Sequence, residues 1–244
     1  MTTEARTLTV SGVPFAVVRK AIKNLHLGAY PPDGHVRVAA PLTVSDAAVR
    51  VAVVGRLQWI RRRQAIFAGQ AREPRREMLS GESHYFFGRR YRLHVEEASG
   101  PARVLLRAGP TLVVRVDPER DASYRKGLLH AWYREQLTEL VTELVRKWKV
   151  RLRVKPAAWG PRRMKTKWGS CNPKNRRLLF NLELAKKPHQ CIEYVVVHEL
   201  VHLLVRRHDE KFRRLLDKHL PQWEGPRNFL NASPLADESG ARRC

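Results

Sequence analysis

The sequence predicts an α+β fold, a β-rich N-terminal region followed by a helical C-terminal half, and three observations lead there. Short apolar runs separated by turn signals fill the first 120 residues. Apolar residues at helical spacing take over after residue 121. Near the end, PHQCIEYVVVHELVHLLVRR is apolar nearly all round, which marks a helix buried within a folded core. The expected division is a β-rich region over 1–120 with one basic helix, a second domain over 121–232, and a disordered tail over 233–244.

Each element follows from a local signal. Leu8 to Val10, Phe15 to Lys20 and, after the turn signal PPDG, His35 to Ala39 read as strands. Ser45 reads as a helix cap, and Ala48, Val51, Ala52, Leu57, Ile60 and Phe67 recur behind it at helical spacing, with Arg61, Arg62 and Arg63 on the later turns. HYFFGRRYRLHV, ARVLLRA and TLVVRV read as strands joined by glycine turns, and together predict an antiparallel sheet.

A long helix is expected from about Ser123 to Lys149, its stripe formed by Leu128, Trp132, Leu137, Leu140, Val141, Leu144 and Trp148. Strands return in LRV, RMKTKWGSC and RLLFNLEL. After the buried helix, an amphipathic one starts at Asp209, carries Phe212, Leu215, Leu216 and Leu220, and stops at Pro221. No internal repeat is legible.

At 244 residues and 43% hydrophobic, the chain can bury a real core. Its net charge of +24 attracts anions, so nucleic acid, nucleotides and acidic protein surfaces are the physically expected partners. No leader pattern and no membrane-length apolar run is present, and the expectation is a soluble cytoplasmic protein. Cys171, Cys191 and Cys244 form neither a disulfide framework nor a CxxC pair.

The chemistry concentrates in HELVHLLVRRH, residues 198–208. Positions four apart share a helix face, so His198 and His202 can turn both imidazoles to one ion. Glu199 is costly on so apolar a helix unless it is paired or working, and between such histidines it suits a general base. A catalytic zinc site takes three protein ligands and one water, and His208 is the expected third, with Glu210 as the runner-up. On an unbroken helix His208 would point off the metal face, so the helix must end before it. His130, His189 and His219 receive no role, and Cys171 reads as a small buried hydrophobe.

HELVH with His208, preceded by MKTKWGSCNPKNRRLLFNLELAKKP and followed by HDEKFRRLLDKHLPQW, resembles the YgjP-like metallopeptidase domain, a relative of SprT-like and minigluzincin proteins. Upstream, IKNLHLGAYPPDGHVRVAAP and GESHYFFGRRYRL are similar too, so the likeness spans roughly Val17 to Leu230. It implies a zincin-like C-terminal half in which the metal helix packs on a small sheet. It also implies one Zn2+ on His198, His202 and His208, with Glu199 activating the bound water.

From Leu144 to Leu182 no acidic residue occurs, and Arg151, Arg153 and Lys155, like Arg163, Lys165 and Lys167, alternate with uncharged residues as on strand faces. If this hairpin lines the cleft, Lys165, Lys167 and Ser170 are the expected substrate contacts. Three functions follow: a zinc peptidase acting on peptides or proteins; a metal-dependent nucleoside triphosphate pyrophosphohydrolase, to which the basic run is suited; and a nucleic-acid-associated protein with a non-catalytic metal centre.

Overall fold

The computed structural model describes residues 5–30, 33–69, 76–164 and 166–233. These divide into two compact units, one within residues 5–69 and one within 76–233. The architecture is α+β. Residues 234–244, where most of the expected tail falls, lie outside the described residues.

In the first unit, β1 (Arg6–Val10), β2 (Val13–Lys20), β3 (His26–Tyr30) and β4 (His35–Pro41) form a sheet in the order β1-β2-β4-β3. The β1–β2 hairpin turns on Ser11 and Gly12, both with positive φ (49° and 77°), which is the twist a two-residue turn needs. β2 and β4 run parallel, while the outer pairs run antiparallel. One sheet face presents Phe15, Val17, Val36 and Val38, and Val49, Val53 and Ile60 bury against them.

Ser45 caps α1 (Asp46–Val54) as expected, its hydroxyl accepting from the Ala48 N–H at 3.2 Å. The single helix expected there is two, because the chain turns at Gly55 before α2 (Leu57–Gly69). Glycine holds a helix weakly, and the break lets Val49, Val53 and Ile60 all face the sheet.

The second unit opens with β5 (Ser83–Phe86), β6 (Arg89–Glu97), β7 (Arg103–Arg107) and β8 (Thr111–Val116), in the order β5-β6-β8-β7. This repeats the first sheet strand for strand: an antiparallel hairpin, a parallel β6–β8 pair and an antiparallel edge. Even the first turn recurs, with Phe87 and Gly88 at φ 45° and 81°. A repeat invisible in the sequence is therefore present in the fold. Parallel pairing in both copies also refines the expected antiparallel sheet.

Asp121 caps α3 (Ala122–Arg151), accepting from the Tyr124 N–H at 2.8 Å. Leu129, Tyr133, Leu137, Val141, Val145 and Trp148, three or four apart, form its fully buried stripe. The LRV stretch after it is not a strand. Arg153 takes a left-handed φ of 53°, and the Val154 N–H reaches back to the Lys149 carbonyl at 3.0 Å, which closes the helix and satisfies its last carbonyls. Leu152 and Val154 both bury in that closure, and this is what imitates a strand's alternation.

A three-stranded sheet follows, made by β9 (Ala158–Arg162), β10 (Gly169–Asn172) and β11 (Arg177–Asn181) in the order β10-β11-β9. A short 3-10 helix (Leu182–Lys186) leads into α4 (His189–Val201), α5 (Glu210–His219) and α6 (Glu224–Ala232), the last unforeseen in the sequence. One core joins Leu93 and Leu112 of the second sheet to Val141 of α3, Phe180 of β11 and Ile192 and Val196 of α4. The boundary by packing thus lies near residue 74, not at 120 as expected, because the second sheet buries its apolar face in the same core as the C-terminal helices. No helix of the described residues is long and apolar enough to cross a membrane.

Candidate active site

α4 is buried along almost its whole length, and it delivers His198 and Glu199 one turn before its end. The helix stops at Val201, with His202 as its cap, six residues short of the apolar pattern. Its closing N–H groups do not need glycine: Leu203 donates to Leu200 at 3.0 Å, and Leu204 and Val205 both donate to Val201 at 2.9 Å. The chain then turns back, and Asp209 caps α5 by accepting from the Phe212 N–H at 3.0 Å. The expected bend is present, and it carries His208 towards α4.

One ring nitrogen from each of His198, His202 and His208 lies within 4.8 Å of the other two. The three ring centroids stand 4.7–4.9 Å apart, and the Phe212 ring packs 4.8–4.9 Å from each, as a common apolar wall. His202 Nδ1 lies 3.1 Å from the Val205 carbonyl. A carbonyl only accepts, so Nδ1 carries the proton and Nε2 keeps its lone pair for an ion. The Tyr194 hydroxyl, one turn earlier on α4, stands 3.4 Å from His198 Nδ1 and helps orient that ring.

Two features fit a bound cation. His198 Nε2 and His208 Nε2 face each other at 3.0 Å, and two lone pairs so placed need a proton or a cation between them. Nitrogens sharing a tetrahedral zinc sit roughly 3.3 Å apart, within the spread observed. Burial, with neighbouring His202, His208 and Arg227, pulls the His198 pKa down to about 3, and burial lowers that of His202 as well. Neutral imidazoles are the metal-binding form.

Glu199 is the second feature. Only 5% exposed, its carboxylate receives no hydrogen bond or ion pair from the described residues. Burial pushes its pKa up to about 8, against the pull of the Lys167 ammonium. A buried carboxylate without a protein partner is costly, and it is suited to take up a proton.

The role of Gly169, at the start of β10, is not legible in the sequence. A Cβ there would lie 2.5 Å from Glu199 Oε1 and 2.8 Å from Val195 Cγ1, so glycine is what lets the strand close over the base. Asn181 was missed as well. Fully buried at the end of β11, its amide donates to the Met164 and Lys167 carbonyls at 2.8 Å each, pinning the segment that leads into β10. Tyr194 had a readable signal, since it precedes His198 by four on one helix face. Gly169 and Asn181 had none, because their partners are remote in sequence.

His198, Glu199, His202, His208, Tyr194 and Gly169 line one cleft of about 900 Å3, with Trp168, Ser170, Cys171 and Trp223 among its walls. Of the expected substrate contacts, Lys167 and Ser170 line it, and Lys165 lies outside the described residues. Among the described residues of the expected strand RMKTKWGSC, only Gly169, Ser170 and Cys171 are strand. Glu210 turns away to pair with Arg214 at 3.6 Å. Burial raises the Cys171 pKa to about 11, so its thiol stays protonated.

The family model of the YgjP-like metallopeptidase domain matches residues 25–233. The chain belongs to that family. A YgjP-like domain is a metallopeptidase-type hydrolase, which implies a metal and peptide substrates. Two solved structures of metallopeptidase zymogens show a partial likeness. Abylysin of Pyrococcus abyssi is 19% identical, with a TM-score of 0.35, over 37% of this chain and 90% of its own. Jannalysin of Methanocaldococcus jannaschii is 21% identical, with a TM-score of 0.33, over 37% and 84%. No curated protein matches the chain.

Proposed function

We propose that this YgjP-like protein is a zinc-dependent metallopeptidase in which His198, His202 and His208 hold one ion and Glu199 is the base, the catalytic machinery lying within residues 121–232. The observation that carries the reading is three imidazoles converging in the cleft that holds a buried Glu199 with no hydrogen-bond or ion-pair partner among the described residues. A zinc ion held by three imidazoles supplies Lewis-acid polarisation of a scissile carbonyl and acidifies water.

The chain's own groups supply the rest. The Val205 carbonyl fixes the tautomer of His202, and the Tyr194 hydroxyl helps orient the His198 ring. Glu199 takes the proton of the attacking water at a carboxylate oxygen and returns it to the departing amine nitrogen. A carboxylate with a raised pKa is suited to both halves of that transfer. The backbone at Gly169 closes against the base. β10 is an edge strand beside it, so one side of its backbone remains to pair with an extended substrate.

The test is turnover of a peptide library by zinc-loaded protein, with metal content measured alongside. Glu199→Gln should retain one ion per chain and lose about 10²–10⁴ in kcat. Peptide cleavage undiminished in Glu199→Gln would overturn the assignment of the base, and a chain that binds no zinc at neutral pH would overturn the metal site.

A further inference from the structure

The walls of the cleft are far more one-sided in charge than the chain. Across the sequence 47 lysines and arginines face 23 aspartates and glutamates, about two to one. Lining the cleft are Lys167, Lys174, Arg206, Arg213 and Arg227 against a single carboxylate, that of Glu199. The excess there is five to one, and the one acid is already assigned to the chemistry. Apart from Glu199, every Asp, Glu, Lys or Arg on the described walls is a cation.

These five cations come from five separate stretches of chain. Lys167 precedes β10, Lys174 sits in the turn between β10 and β11, and Arg206 lies between α4 and α5. Arg213 is on α5 and Arg227 on α6. None has a carboxylate within ion-pair distance among the described residues, although neighbours such as Arg214, Lys147 and Lys186 do. Arg227 instead stacks on Trp223, 5.5 Å from the ring, which holds its guanidinium at the cleft wall. Cations left unpaired in a concave site raise the local concentration of anions and discriminate against cations.

The distribution also bears on the kind of anion. A triphosphate needs donors gathered at one point, usually backbone N–H groups of a glycine-rich loop. The one glycine lining this cleft, Gly169, is occupied by its packing on Glu199. Charges spread around a cleft of about 900 Å3, beside an edge strand, suit an extended chain with several separated negative charges.

Resting on the peptidase reading above, we propose that the cleft selects acidic peptides, with aspartate or glutamate side chains on the residues flanking the bond to be cut.

The experiment compares three peptides of one length that differ only at the flanking positions, which carry Glu, Gln or Lys. For zinc-loaded protein at low salt, kcat/KM should fall from Glu to Gln by roughly tenfold to a hundredfold, and further to Lys. The gap should narrow as salt is raised. Lys174→Glu combined with Arg213→Glu, both exposed positions, should erase or invert the order while still cleaving the Gln peptide. Equal cleavage of the Glu and Gln peptides would overturn the proposal.

Binding of the same labelled peptides to zinc-loaded Glu199→Gln separates this inference from the parent reading. Salt-sensitive preference for the Glu peptide without cleavage by the parent protein would uphold the acidic site and sink the peptidase. Nucleoside triphosphate hydrolysis with neither binding nor cleavage of any peptide would overturn both.

Discussion

Gly12 and Gly88 hold the same position in the same kind of turn, each following a residue of positive φ at the tip of the first hairpin of its sheet. A methyl group on Gly12 would meet nothing within 4 Å, whereas one on Gly88 would lie 2.8 Å from Pro188 Cγ, where α4 begins. The Phe87 N–H beside it donates to the Ala185 carbonyl at 2.8 Å, and the Phe87 ring meets His189 edge-on at 4.6 Å. The two sheets share topology, but the second hairpin braces the helix that presents His198 and Glu199. Its sheet is also covered by α3, whose other contacts include α4 itself. A repeated architecture can thus hold a site in one copy because of what packs against it, not because of its strands.

The sharpest way to break this comparison is through the base. Gly169→Ala would press on Glu199, and about a hundredfold of kcat/KM should be lost from a peptide the parent cleaves, with the fold intact by circular dichroism. Gly12→Ala, in the first unit, should leave turnover at the parental rate. Equal activity in the two variants would show that Glu199 does not depend on its packing.

Acid should separate the units next. Burial, helped by the Arg76 guanidinium and opposed by the Glu82 carboxylate, holds the pKa of His84 at about 4, below its ordinary 6.5. The unfolded chain then binds the proton more readily than the fold, so this contribution is whole above about pH 6.5 and drains as pH falls towards about 4. The loss is on the order of 3 kcal/mol in the second unit. The first unit buries no histidine among its described residues and should not share it. Hydrogen exchange resolved by segment, at pH 7 and pH 4.5, reads the difference. His84→Gln should remove its share of the difference and leave that of His198 and His202, and parallel acid sensitivity in both units would contradict the assignment.

The smallest effect is the hairpin pair itself. Gly12→Ala should cost about 1 kcal/mol for its left-handed backbone. Gly88→Ala adds the collision with Pro188 and should cost about 1–2 kcal/mol more. Urea midpoints of each unit measure both, and equal costs would mean that Pro188 gives way freely.

Much of this was legible because its causes are local. Ser45 and Asp209 cap helices through N–H groups three residues away. The spacing of His198, Glu199 and His202 follows from helix geometry alone, and the need for a bend before His208 follows from the same geometry. What misled was local pattern with a non-local cause. The alternation of Leu152 and Val154 came from a helix closure, and the apolar run after Val201 came from a turn in which Val205 buries while Leu204 stays exposed.

By itself, then, the sequence determined the α+β class and several helix starts, and it brought forward His198, Glu199, His202 and His208 as candidates, because these signals depend on near neighbours in the chain. Only the tertiary structure decided that β6 pairs with β8, that the second sheet belongs to the catalytic unit, that Gly169 seats Glu199 and that five cations from separate stretches share one cleft. Those are contacts between residues far apart in the chain, and their partners are chosen by the burial of whole apolar faces, which no local pattern encodes.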